Sequence, residues 1–304
     1  MPEPLTPLEE APPGLAPGRR VFLKREDVHE LGAFKWRGAL PTIERYRAEG
    51  AEAVVTASTG NQGAATAWAA GRLGMRAVVY APANASRAKV GLIERFGADV
   101  RLTGSDFDEA KAEAEEFAAA HGVFFSDGAE HEQYEGYRTI GDEILDQCGE
   151  TPGAVVVPVG NGALLGGIAL AICDRDPDIV RVGVVAKEAP VMALSWEAGH
   201  VVESSSSATI ADGLAVRVAE PLAVDVLGEV ASRMLLVSER EIARAIAAYA
   251  GAGIRAEGAA AAALAAVPQL DDVDDPLVLI VTGRNIDDDV LKRACEAPDS
   301  FPDC

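Results

Sequence analysis

Ala53-Val54-Val55-Thr56-Ala57-Ser58-Thr59-Gly60-Asn61-Gln62-Gly63 carries the chain from a short apolar run into a polar loop and on into an alanine-rich stretch. Ala53–Ala57 is apolar and too short for a helix, so it reads as a strand; Gln62–Leu73 keeps helical spacing. Working outward, Arg76–Ala81 is the next expected strand, Arg87–Phe96 a helix, Asp99–Leu102 a strand and Phe107–His121 a helix. Val123–Ser126 closes this block, and Tyr137–Gln147 forms another helix. A second series runs strand Ala154–Val159, helix Ala163–Cys173 and strand Arg181–Ala186, then helices Glu239–Tyr249 and Glu257–Val267 and strand Leu277–Val281. Strands alternating with helices imply parallel sheets covered on both faces. The expected fold class is therefore α/β in two domains, each an open, twisted, mostly parallel sheet flanked by helices. Residues 1–39 with 141–304 form the larger domain and 40–140 the smaller, inserted one.

Composition narrows the class. At 304 residues and 49% hydrophobic, the chain has the content of a folded globular protein. A formal net charge of −21 argues against a nucleic-acid backbone or an anionic membrane surface as partner, and also fits a halophilic or GC-rich source. Cys148, Cys173, Cys295 and Cys304 show no paired spacing, which points to a reducing cytoplasm rather than a disulfide framework or a zinc site. The histidines, His29, His121, His131 and His200, are equally scattered. The opening Met1-Pro2-Glu3-Pro4 does not read as a signal peptide, and glycines break the apolar stretch 153–173, so no membrane span is expected.

Four short segments carry candidate chemistry. In Leu31-Gly32-Ala33-Phe34-Lys35-Trp36-Arg37-Gly38-Ala39 a lysine stands between two aromatic residues. Apolar surroundings disfavour an ammonium and free the amine lone pair that a Schiff-base nucleophile needs. The same residues also allow a lysine at a helix start that snorkels past Phe34 and Trp36. In the Ser58–Gly63 loop, backbone amides at a helix start and the side chains of Ser58, Thr59 and Asn61 suit an anion such as an α-carboxylate; ordinary helix capping by Ser58 or Thr59 is the alternative. Gly160-Asn161-Gly162-Ala163-Leu164-Leu165-Gly166-Gly167 again leads a strand into a helix. A dinucleotide fingerprint needs glycine where Leu165 stands, and no Gly-Lys-Ser or Gly-Lys-Thr follows. A cup for one phosphate remains, beside the alternative of tight strand–helix packing. Last, Thr282-Gly283-Arg284-Asn285 follows a buried strand, at the strand end where parallel sheets open onto ligands.

Taken together and in order, these segments resemble the fold type II pyridoxal-phosphate enzymes. That superfamily includes the threonine and serine dehydratases, serine racemase, threonine synthase and the tryptophan synthase β chain. The likeness begins at Thr6-Pro7-Leu8 and Leu23-Lys24-Arg25-Glu26-Asp27, and runs through Phe34–Ala39, Ser58–Asn61, Phe96–Val100 and Gly160–Gly167. It continues in Ala211–Val216, Glu257–Leu264 and Thr282–Asn285. The resemblance implies pyridoxal 5'-phosphate as cofactor, held covalently by Lys35, with Phe34 near its ring and Asn61 on its 3′-oxygen. Backbone amides of Gly160, Asn161, Gly162, Ala163 and Leu164 are implied to bind its phosphate, and the Thr282 hydroxyl to meet the ring nitrogen. Ser58, Thr59, Gly60, Asn61 and Gln62 are implied to grip the substrate carboxylate. Thr59 stands where racemases carry a serine acid/base, so it either does that job or only binds carboxylate. A hydroxyl on the ring nitrogen implies a weaker electron sink than a carboxylate, which favours prompt loss of a β-substituent. The implied activity is β-elimination from a hydroxy amino acid such as threonine or serine, giving a 2-oxo acid and ammonia, in a homodimer.

The pattern also departs from the dehydratases. Ala33 replaces their usual serine, as in diaminopropionate ammonia-lyases, which Trp68 also matches; Gln62 replaces a common histidine. Asn161 and Ala163 dilute a run of four glycines. Glu135–Thr139 and Gly253–Glu257 lean toward threonine synthase, whereas Trp36 stands where synthases prefer aspartate. A diaminopropionate, hydroxyaspartate or threonine synthase type of reaction therefore stays open. So does a non-catalytic homologue that binds the cofactor or an amino acid, although Lys35, Asn61 and Thr282 together argue for an enzyme. In Gly183-Val184-Val185-Ala186-Lys187, Val185 occupies a position where some relatives place a metal ligand, so no metal is expected. The chain end near residue 304 implies no regulatory domain for isoleucine feedback.

Overall fold

The computed structural model describes residues 5–204 and 206–303; the opening Met1-Pro2-Glu3-Pro4, Ser205 and Cys304 lie outside the described residues. The strands in chain order are β1 (Leu8–Glu10), β2 (Val21–Arg25), β3 (Ala53–Ala57), β4 (Arg76–Ala81) and β5 (Asp99–Leu102). Then follow β6 (Phe124–Phe125), β7 (Ala154–Pro158), β8 (Val180–Ala186), β9 (Arg233–Val237) and β10 (Leu277–Val281). The chain divides into two compact units, Met1–Ala33 with Tyr137–Cys304, and Phe34–Gly136.

The larger unit is built on a six-stranded sheet of order β1-β2-β10-β7-β8-β9. All its pairings are parallel except that of β1 with β2. Every residue of β7 and β10 is buried, which is why both read as unbroken apolar runs: a central parallel strand has no solvent face. Helix Gly258–Ala265 is apolar all round and buried from Gly258 to Leu264, as its Gly-Ala-Ala-Ala-Ala-Ala-Leu-Ala sequence requires. It joins helix Glu239–Gly251 and the sheet in one core with Val156, Val184, Ile246, Tyr249 and Leu279. Helix Glu239–Gly251 opens with a capping box between Ser238 and Glu241.

The smaller unit holds a four-stranded sheet of order β5-β4-β3-β6, parallel throughout. Val55, Val78 and Tyr80 of its central strands pack against Ala114 and Ala118 of helix Phe107–His121, whose small side chains let it lie close. That helix starts on an Asp106 cap and stops at Gly122 in the left-handed conformation.

The expected elements of the central region are present, with ends moved by a few residues. The largest difference is the helix expected from Tyr137, which begins at His131. Gly136 lies inside it, where a Cβ would fall 1.9 Å from the Arg37 carbonyl oxygen. That glycine serves close packing. β1, β2 and β9, and helices Trp36–Ala48, Val191–Ala198, Pro221–Val230 and Asp288–Glu296, are additions to the sequence reading.

Candidate active site

In the smaller unit, Lys35 is the residue preceding helix Trp36–Ala48, and its carbonyl accepts the first helical bond, from Ala39 at 3.0 Å. The aromatic residues on either side, Phe34 and Trp36, are buried at 8% and 6% exposure, whereas Lys35 itself is half-buried. Its Nζ lies 5.1 Å from the centroid of the Phe34 ring. Trp36 meets Trp68 edge to face at 6.3 Å, one of the contacts that fix helix Trp36–Ala48 on helix Asn61–Arg72.

The Ser58–Gln62 loop leaves the carboxyl end of β3 and starts helix Asn61–Arg72. Its N-cap is Gly60, which has no side chain to cap with. Ser58 Oγ instead accepts from the Gly60 amide at 3.1 Å, and the Ser58 amide donates to the Tyr80 carbonyl. Ser58 therefore folds the loop, and the N-cap residue itself offers no side-chain cap to the helix. Thr59, Gly60 and Asn61 are half-exposed. Gln62 lies over Gly128, where a Cβ would come within 2.9 Å of its Cδ. Both polar atoms of its amide are buried without a hydrogen-bond partner. Gly63 has no room for a side chain either: a Cβ would meet Val79, Ser58 and Ile93 at 3.0–3.2 Å.

In the larger unit, β7 runs through Val159 into Gly160–Leu164 and helix Ala163–Arg175. Gly162 is the helix N-cap at φ +92°, a conformation that side chains resist, and Asn161 Oδ1 accepts from the Ala163 amide at 3.3 Å. At Gly160 a Cβ would fall 2.4 Å from the Gly213 carbonyl oxygen, so segment 211–214 backs the turn directly. The turn thus sets backbone amides at the positive end of a buried helix, with the Asn161 side chain on the Ala163 amide and Ala223, Leu227 and Met192 packed against Gly162. Thr282 sits at the carboxyl end of β10, the strand paired with β7. It is 2% exposed, and its hydroxyl donates to Glu257 Oε1 at 2.8 Å.

The segment after Thr282 is a strap. Gly283 bridges Ala33, and the Arg284 amide donates to the Gly32 carbonyl at 2.8 Å. The Arg284 guanidinium donates to the carbonyls of Asp27 and His29, and Asn285 Nδ2 to that of Leu31 at 3.0 Å. The strap therefore pins residues 27–33, the chain that leads to Lys35. Gly32, at φ +73°, leaves room for Asn285, whose Oδ1 would lie 2.7 Å from a Cβ there.

The structure thus gathers the expected residues in two groups. Gly160, Asn161, Gly162, Ala163, Leu164 and Thr282 stand at the carboxyl ends of neighbouring strands of the larger sheet. Phe34 and Lys35 precede one of two packed helices of the smaller unit, and Ser58, Thr59, Gly60, Asn61 and Gln62 open the other. Sequence reasoning missed Glu257 beneath Thr282, Gly213 behind Gly160, and the strap. Each belongs to a quoted segment, but only the folded chain shows what it touches.

The match to known proteins is extensive. The family model described as "Pyridoxal-phosphate dependent enzyme" covers residues 2–283. An L-threonine ammonia-lyase of Geobacter sulfurreducens is 34% identical over 275 residues, 89% of this chain and 68% of that protein. The solved structure of the processed form of threonine deaminase isoform 2 from Solanum lycopersicum superposes with a TM-score of 0.91 at 31% identity, over 96% of this chain and 88% of that one. Maize serine racemase superposes with a TM-score of 0.88 at 26% identity, over 96% and 91%. With a family model matched over residues 2–283, the chain belongs to the pyridoxal-phosphate dependent enzyme family.

Proposed function

We propose that this protein is an ammonia-lyase that removes the β-hydroxyl and the amino group from a small hydroxy amino acid such as threonine or serine, releasing a 2-oxo acid and ammonia. The observation that carries this reading is the likeness, over about nine-tenths of the chain, to an L-threonine ammonia-lyase. The residues present fit the coenzyme. The glycine turn at the start of helix Ala163–Arg175 suits a phosphate, which main-chain amides at a helix N-terminus bind, and packing on Gly213 keeps a side chain out of it at Gly160. The coenzyme supplies an electron sink for the bond broken at the substrate α-carbon.

The roles of the chain's own groups follow. Lys35 would hold the coenzyme covalently, and its Nζ would take the substrate α-proton. Phe34 covers its ring, and Asn61 binds its 3′-oxygen. Amides of Gly160, Asn161, Gly162, Ala163 and Leu164 hold its phosphate, and Thr282 meets the ring nitrogen. Ser58, Thr59, Gly60, Asn61 and Gln62 orient the substrate carboxylate, which fixes the α-proton toward Lys35. Thr59 binds carboxylate in this account. The β-carbon–oxygen bond breaks, the hydroxyl leaves as water with one added proton, and the free enamine takes up water to yield the oxo acid and ammonia. Residues 1–39 with 141–304 are the coenzyme domain in this reading, and 40–140 carries the carboxylate loop.

The same reading makes the protein a cytoplasmic homodimer acting on free amino acids. The unpaired thiols of Cys148, Cys173 and Cys295 support a reducing compartment. Among the described residues, no helix is long and apolar enough to cross a membrane. The test is a panel of threonine, serine, 3-hydroxyaspartate, diaminopropionate and phosphohomoserine, scored by 2-oxo acid and ammonia release. Turnover of threonine or serine that disappears in Lys35→Ala is the expected result. No oxo acid from either, or a fully active Lys35→Ala, overturns the proposal.

A further inference from the structure

Glu239 stands just past the carboxyl end of β9, and the parallel pairings of β9, β8 and β7 put it at the same sheet end as the 160–164 turn. It opens a helix that Ser238 and Glu241 already cap, yet it is only 2% exposed, so its carboxyl is turned into the interior. Oε2 accepts from the Ile210 amide at 2.6 Å, which ties the helix start to a segment 29 residues earlier in the chain.

That segment is firm from Ile210 to the back of the glycine turn. Thr209 Oγ1 accepts from the Ala211 amide at 3.0 Å, and the Leu214 amide donates to the Ala211 carbonyl at 2.7 Å, closing the tight turn Asp212–Leu214. On one side it lies against helix Gly258–Ala265, where a Cβ at Gly258 would come 2.7 Å from Ala211 Cα. On the other side the Gly213 carbonyl meets Gly160 so closely that a Cβ there would strike its oxygen. One hydrogen bond and a few residues of bonded backbone therefore separate Glu239 from the turn. Either protonation state of a carboxyl leaves a lone pair for an amide, so this tether does not depend on the charge of Glu239.

We propose that Glu239 is a positioning residue for the coenzyme phosphate: by holding Ile210 it keeps the Gly213 carbonyl seated on Gly160, and so sets where the amides of 160–164 point. This role rests on the reading, given under the proposed function, that the turn holds the phosphate. Coupling between two sites is reciprocal. A tether that steadies the turn for phosphate must itself be steadied, by the same factor, when phosphate occupies the turn.

The experiment titrates apoprotein of the native chain and of Glu239→Leu, which offers no acceptor, with pyridoxal phosphate and with pyridoxal, which lacks the phosphate. Glu239→Leu is expected to raise the Kd for pyridoxal phosphate about tenfold or more and that for pyridoxal less than about threefold. Hydrogen exchange read by mass spectrometry tests the reciprocal effect in the native chain and needs no variant. Peptides covering 209–214 should exchange about tenfold more slowly with pyridoxal phosphate bound than with pyridoxal bound. Equal protection by the two ligands overturns the inference, and so does a folded Glu239→Leu that weakens both ligands alike or neither. A native apoprotein that binds the two ligands equally well overturns the phosphate reading of the turn as well, so the two failures are told apart.

Discussion

Replacing Gly160 with alanine tests whether the 160–164 turn holds a phosphate. The added Cβ would stand 2.4 Å from the Gly213 carbonyl oxygen. A comfortable carbon–oxygen contact is about 3.3 Å, so one backbone must retreat by roughly 0.9 Å. Overpacking of this kind costs about 1–3 kcal/mol. The turn is the freer partner, since segment 211–214 is held by the Ala211–Leu214 hydrogen bond and by helix Gly258–Ala265 behind it. Moved amides hold a phosphate less well, and a loss of about 1.4–2.7 kcal/mol corresponds to a coenzyme Kd raised about tenfold to a hundredfold. The assay is titration of apoprotein with pyridoxal phosphate and, separately, with pyridoxal, which lacks the phosphate. Gly160→Ala should weaken the first strongly and the second by less than about threefold, since amides that bind no phosphate lose nothing. Equal weakening of both, or of neither, would refute the assignment of the turn.

Arg284→Gln removes charged donors from the Asp27 and His29 carbonyls, each charged bond being worth about 1.5–3 kcal/mol. Because the strap steadies the chain before Lys35, kcat should drop more than KM rises; a change in KM with kcat intact would count against a positioning role. Lys24 is fully buried with its Nζ 2.6 Å from Glu143 Oε2, so Lys24→Met should cost about 3–5 kcal/mol in urea unfolding, and Lys24→Met with Glu143→Leu should recover most of it. A double variant no more stable than the single one would contradict that account. Burial pushes the Glu239 carboxyl above its ordinary 4.5, outweighing the Ile210 amide and Thr209 hydroxyl that draw it down. A raised folded value means that this group's contribution is full below the unfolded value and is lost as pH rises through the folded one. Glu239→Gln, which lacks the titration, should therefore gain stability relative to the native chain as pH is raised from about 4 to 7, measured by thermal midpoints; a gap independent of pH would exclude the effect.

Much of this fold is legible because parallel strands covered on both faces leave a plain trace. Val155–Val157 and Leu277–Val281 have no polar residue to blur them. β2 escaped notice because its Lys24 and Arg25 look like surface charges. Lys24 is in fact neutralised by Glu143, a partner 119 residues away that no local pattern shows. β1 has only three residues and β9 is largely half-exposed, so neither carries a continuous apolar run. Among the candidate site residues, the glycine turn and Lys35 were visible because their residue types are unusual in those places. Glu257 was not: a carboxylate before an alanine run reads as the ordinary start of a helix. Its hydrogen bond to Thr282 joins residues 25 apart, through a packing of helix on strand that exists only in the fold.

The central claim is a covalent bond between one lysine and the coenzyme. Borohydride reduction of the holoenzyme, followed by proteolysis and peptide mass mapping, should place a single pyridoxyl-phosphate adduct on Lys35. An adduct on another lysine, or none on a protein that still turns over threonine or serine, would contradict the account.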